Sequence, residues 1–165
     1  GSVTYILIYA FMNLGAFAAV IAISARVGSG EIDDWGGLGR YSPNLAAFIT
    51  MFFLALAGIP PLAGWFAKFV MFRAVIGAFS SPWAIVLASI AAVNAVIALV
   101  YYARVVKTVY MDPVPEHIDA DSPTVIAPSL KLALAITAVA VIVVGFFPQI
   151  LAFFGDASRA LASGM

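Results

Sequence analysis

The sequence has no cysteine among its 165 residues, a single histidine, and only 10% charged residues. Without cysteine, disulfides, iron–sulfur ligation and thiol chemistry are excluded from this chain. His117 cannot build a metal site alone. Eight basic and eight acidic residues cancel, so no net charge argues for nucleic acid or an acidic partner. Phosphate-binding glycine loops, nucleophile–base pairs and metal-ligand spacings are also missing. The "GGLG" at Gly36 to Gly39 is a turn signal, not a nucleotide fingerprint. There is no initiator methionine and no signal-peptide layout, because the chain opens inside an apolar run, "GSVTYILIYAF". The expectation from such a start is that the N-terminal part of a larger protein is missing.

What is present is apolar. Hydrophobic residues make up 64% of the chain and the mean hydropathy is +1.10. Soluble domains sit near half apolar and a quarter charged, so the class is an all-α integral membrane protein. Four apolar segments stand out, at about 3–25, 44–79, 82–106 and 128–147. The first is long enough to cross roughly 30 Å of hydrocarbon at about 1.5 Å per residue. The second, unbroken, would run roughly 50 Å and overshoot the bilayer, so a break or a strong tilt is expected. "FFPQ" stops the fourth, and the tail over 149–163 reads as a short surface helix with Leu151, Phe154 and Leu161 turned toward the membrane.

Two long polar loops and one tight "SSP" link join the four segments. The face carrying both loops holds Arg26, Arg40, Arg104, Lys107 and Lys131, and the opposite face holds Arg73 and Arg159. By the positive-inside rule the loops are cytoplasmic and both chain ends lie outside.

The chemistry concentrates in "FFLALAGIPPLAGWFAKFVMF", Phe52 to Phe72. A proline inside a helix removes one donor and displaces the carbonyl four residues earlier, so Pro60 and Pro61 free the carbonyls of Leu56 and Ala57. In lipid a bare carbonyl costs several kcal/mol, so a helix break survives only inside protein or beside a wet cavity. Gly58 and Gly64 flank the prolines and give the backbone room to bend. Lys68 follows Pro61 by almost two turns and shares a face with Gly64, which would leave a small-residue gap running from its ammonium back to the break. Lys68 lies too far from the segment ends to snorkel, and two readings stay open: a titrating group, or a static partner for an acid on another helix. A lysine can take up and release a proton as its surroundings alternate between wet and dry; an arginine cannot.

Asn94 and Tyr101 lie seven residues apart on one face of the third segment and extend a candidate hydrogen-bonded path, with interhelical packing as the alternative for Asn94. Tyr101 and Tyr102 also suit an interfacial aromatic belt. In the first segment Tyr5, Tyr9 and Asn13 form one polar stripe, and Gly15 with Ala19 makes a small-xxx-small contact; helix packing accounts for both.

At "LAGIPPLAGWFAKF" the chain resembles the broken late helix of the antiporter-like membrane subunits of proton-pumping NADH:quinone oxidoreductase (respiratory complex I), most nearly the subunit N branch. "YAFMNLGAF", "LVYYARVV", "VVGFFPQIL" and the loop "EIDDWGGLGRYSP" agree in the same order. The resemblance covers essentially the whole chain, as the last third or so of a family member. It implies four transmembrane helices, the second broken at Gly58 to Pro61, in the C-terminal part of a larger helical bundle. It also implies that Lys68 is the proton-carrying lysine of the second broken helix, toward the exit half-channel. NADH, FMN, iron–sulfur clusters and quinone would be handled by other subunits, so this chain needs no cofactor of its own. The implied partners are the other membrane-arm subunits and the lipid bilayer, with no nucleic acid, in the bacterial cell membrane. Rival expectations are a subunit of a multi-subunit Na+/H+ antiporter or a membrane-bound hydrogenase, or a structural scaffold with Lys68 as a fixed charge.

Overall fold

The computed structural model describes residues 2–78 and 82–150. Every regular element among them is helical: α1 (Ser2–Val27), a 3-10 turn (Ile32–Trp35), the one-turn α2 (Leu38–Tyr41), α3 (Pro43–Ala57), α4 (Ala63–Ala78), α5 (Pro82–Met111) and α6 (Pro128–Phe146). Three helices are long and apolar enough to cross a membrane, over Tyr5–Val27, Trp83–Met111 and Pro128–Phe146. The "SSP" link and the tail from residue 151, which carries most of the expected surface helix and Arg159, lie outside the described residues.

Helix α1 is the hub, packing against α3, α4 and α6. Its contact with α3 is set by Gly15: a Cβ there would fall 2.1 Å from the Phe52 ring, which is itself fully buried. The aromatic on α3, more than a small-residue pairing along α1, accounts for that glycine. Helix α6 closes over the segment between α3 and α4 at Gly145, where a Cβ would sit 2.0 Å from the Pro61 carbonyl oxygen. Trp65 Nε1 then donates to the Gly145 carbonyl at 3.3 Å. Of the three long apolar helices α5 is the least covered: only 6% of its most apolar 18-residue stretch is buried against the rest of the chain.

Both long loops lie at the same end, and α5 runs into them. The apolar pattern marks an end near 106, but the helix continues to Met111. Val105 and Val109 explain the extra turns, since both are buried in a cluster with Trp35, Leu38 and Tyr41. The "GGLG" glycines allow this approach: the Gly37 N–H donates to the Thr108 carbonyl at 3.2 Å, and a Cβ on Gly39 would meet the Tyr110 ring at 2.6 Å. Arg26, in the last turn of α1, donates to the carbonyls of Asp119 (2.7 Å) and Ser122 (3.1 Å), tying the second loop down. Ser42 and Thr124 join the two loops through their hydroxyls.

Candidate functional site

Helix α3 ends in a complete glycine cap. Gly58 adopts φ +88°, its N–H bonds the Ala55 carbonyl at 2.9 Å, and the Ile59 N–H bonds the Leu54 carbonyl at 3.0 Å. This Schellman geometry satisfies two of the last carbonyls of the helix internally. Pro60 and Pro61 then follow, and neither can supply a donor. The carbonyl of Ala57 therefore needs a partner from elsewhere, and Lys68 provides it: Nζ donates to Ala57 O at 2.6 Å. The lysine reaches back across the break, from the second turn of α4 to the C-terminus of α3.

Three physical factors favour that contact. The carbonyl end of α3 carries the negative end of the helix dipole, roughly half an elementary charge, close to the ammonium. The bond is charge-assisted and short, the stronger kind of hydrogen bond. Gly58 leaves the necessary space, because a Cβ there would lie 2.8 Å from Lys68 Cδ and 3.2 Å from Nζ. Gly58 is thus required twice, for its left-handed backbone and for the lysine lying over it.

Gly64 has a different part from the one its spacing suggests. A Cβ at this position would fall 1.6 Å from the Ala55 carbonyl oxygen. The gap between lysine and break is largely filled by the backbone of α3, and the open space lies to one side. That space is a cavity of about 370 Å³ between α1, α4 and α5. Its wall contains Lys68, Asn94, Tyr5, Tyr9 and Tyr102 among small and apolar residues.

Lys68 and Asn94 are therefore brought to one cavity, with Lys68 half-buried and Asn94 at its exposed rim. Tyr101 is elsewhere, in a hollow with Glu31, Asp33 and Arg104 beneath the first loop. Its neighbour Tyr102 occupies the cavity wall instead, with its ring against Phe53 at a centroid distance of 5.0 Å. Tyr5 and Tyr9, which the sequence pattern explains by packing alone, also line the cavity and stack on each other at 5.7 Å. Their i, i+4 spacing was visible, but nothing local told which neighbour that stripe would face. Asn13, the third member of the stripe, turns its amide onto its own helix and donates to the Tyr9 carbonyl at 2.8 Å. No group of three or more metal-ligating side chains is assembled among the described residues.

Comparison with known proteins relates the chain to a family. Residues 1–97 match the family described as NADH:quinone oxidoreductase/Mrp antiporter, TM. The chain is 38% identical over 144 residues to NADH-quinone oxidoreductase subunit N 2 of Sorangium cellulosum, covering 87% of this chain and 28% of that protein. It is 39% identical over 163 residues to subunit N of Methylobacterium nodulans, covering 98% of this chain and 32% of the relative. The chain thus spans about a third of the length of the curated relatives it matches. Its fold is similar to a chain of respiratory complex I from Thermus thermophilus with bound aureothin, at TM-score 0.69 and 23% identity, over 90% of this chain and 33% of that one.

Proposed function

This chain belongs to the NADH:quinone oxidoreductase/Mrp antiporter transmembrane family, and from that premise we propose that it carries one lysine-gated section of a transmembrane proton path in subunit N of a proton-pumping NADH:quinone oxidoreductase. Lys68 is the titrating group. The observation that supports this most directly is the pairing of Nζ with a backbone carbonyl instead of a carboxylate, at the edge of a cavity with polar groups in its wall. A carbonyl stabilises the ammonium without binding it as an ion pair, so the proton can leave when the side chain turns into the cavity. In that cycle an N–H bond of the ammonium breaks toward water, and the amine left behind accepts the next proton.

Membrane geometry supports the same reading. Helices α3 and α4 have 15 and 16 residues, or about 22–24 Å each, too short to cross roughly 30 Å singly. Joined through 58–62 they form one crossing in two halves, which gives four spans with the second broken at Gly58 to Pro61. The end of the bundle that carries both loops holds Arg26, Arg40, Arg104, Lys107 and Lys131, which supports a cytoplasmic position for that end. Other membrane-arm subunits are the partners, and NADH, FMN, iron–sulfur clusters and quinone belong to the rest of the assembly. Lys68 cannot pump without energy from that assembly, because each proton moved against 100 mV costs about 2.3 kcal/mol.

A second reading is favoured by the same 2.6 Å bond: Lys68 as a permanent cap on α3. Lys68→Ala and Lys68→Arg in the full-length subunit, assembled in its complex, separate the two. Proton pumping is measured against quinone reductase activity in membrane vesicles. The titrating role predicts normal assembly with both substitutions depressing pumping, because arginine keeps the charge but does not release the proton. Full activity with arginine would make Lys68 a fixed charge.

A further inference from the structure

Three phenols, Tyr5, Tyr9 and Tyr102, line the cavity beside Lys68. Tyr9 enters from α1 and Tyr102 from α5, and both line the cavity that Lys68 lines from α4. Each ring is held by a neighbour, Tyr9 by stacking on Tyr5 and Tyr102 by Phe53. A cavity of about 370 Å³ has room for several waters, each of which takes roughly 30 Å³ and needs two to four polar partners. Apolar walls would leave that space dry, whereas fixed hydroxyls can both donate to and accept from water.

We propose that Tyr9 and Tyr102 are further residues of the proton path, their hydroxyls holding the water that exchanges protons with Lys68. The inference rests on the titrating role of Lys68 and extends it to α1 and α5. Each hydroxyl accepts a hydrogen bond from one water and donates to the next. In the transfer an O–H bond of a hydronium-like water breaks and an N–H bond forms at Nζ, with no change of oxidation state. The α5 tyrosine of the path is Tyr102, and Tyr101 stands outside it.

The test uses the full-length subunit in its assembled complex, in membrane vesicles. Tyr9→Phe, Tyr102→Phe and the double substitution remove the hydroxyls but keep the rings that pack; Tyr101→Phe is the control. Coupled proton translocation should fall about tenfold in the double variant, the loss equivalent to roughly one hydrogen bond. Subunit content of the complex should remain at the unmodified level, and Tyr101→Phe should pump normally. Wild-type pumping by the double variant overturns the proposal.

A second measurement requires no transport. Ala95 lines the cavity and Val93 lies on the outer side of the same helix at nearly the same depth. The described chain has no cysteine of its own. Ala95→Cys should react with a membrane-impermeant maleimide while Val93→Cys stays unlabelled, because only a hydrated thiol reacts at an appreciable rate. An unreactive Ala95→Cys means a dry cavity and ends the proposal. If Lys68→Arg pumps normally, the parent reading fails; if Lys68→Arg is impaired while the tyrosine pair is not, only this extension fails.

Discussion

Arg26 and Lys68 are both cations held by main-chain carbonyls in preference to carboxylates, yet they are held in opposite ways. Arg26, at the loop end of α1, donates to two carbonyls at 2.7 and 3.1 Å and lies over the Tyr41 ring at 5.3 Å. Lys68, near the start of α4, has one carbonyl of α3 at 2.6 Å and a cavity beside it. The guanidinium spreads a permanent charge over several acceptors in fixed geometry, which suits clamping one loop to another. An ammonium with one partner can change partners at the expense of a single bond. The number of contacts, more than the burial, is what differs between the two cations.

Exchanging the two residue types should give the largest effects and break the symmetry of the pair. Lys68→Arg is expected to lower coupled proton translocation tenfold or more, since guanidinium does not release its proton under physiological conditions. Arg26→Lys keeps a charge at the loop end and should leave translocation within about twofold while loosening the loops, by losing a charge-assisted bond worth about 1.5–3 kcal/mol. Pumping assays on both variants, with protease nicking of the 112–127 loop as the stability readout, check the pair. Equal effects on pumping would mean that both cations are structural.

Next in size is Gly64→Ala. The added Cβ would stand 1.6 Å from the Ala55 carbonyl oxygen and 3.3 Å from Met12 Sδ, and backbone cannot move aside as a flexible side chain can. Overpacking of this kind costs about 1–3 kcal/mol or more, and here it pushes α3 and α4 apart. The complex carrying it should show a lower melting temperature or reduced subunit content. An unchanged melting temperature would show that α3 and α4 do not meet at this point.

The helical, apolar character of the chain and the interruption between α3 and α4 were open to inspection in the sequence, because prolines in an apolar run are local signals. The partner of Lys68 was half legible: proline chemistry names the freed Ala57 carbonyl, but only the turn at Gly58 returns the lysine to it. Tyr9 and Tyr102 were hidden for a different reason. A helical stripe gives a direction relative to its own axis and says nothing of which neighbour it faces, so Tyr9 looked like packing and Tyr101, not Tyr102, was paired with Asn94. The extra turns of α5 were hidden likewise, since Val105 and Val109 find their cover in a loop that lies 70 residues earlier in the sequence.

A smaller effect is expected from pH at the loop end. Burial pushes the Tyr41 phenol above its ordinary value near 10.0, and the Arg26 guanidinium draws part of that shift back. A phenol raised in the folded state favours the fold while it stays protonated, so its contribution is intact below about pH 10 and is lost as pH climbs through the raised value. Protease nicking of the 112–127 loop should therefore accelerate at alkaline pH, and Tyr41→Phe should weaken that acceleration. An identical pH dependence in the variant would remove Tyr41 from the account.

The smallest effect should come from the charges that look most like glue. Arg104 and Asp33 approach to 3.9 Å with side chains 74% and 88% exposed, which places the pair among surface bridges worth less than about 1 kcal/mol. Asp33→Asn should change stability by no more than about 0.5 kcal/mol and become silent at high salt. The loop end is held instead by Trp35, Leu38 and Val109, all buried to 2% exposure or less, and by the carbonyl contacts of Arg26. Should Asp33→Asn destabilise the loops more than Arg26→Lys, exposed charge and not the clamp would hold this end, and the contrast between the two cations would lose its structural half.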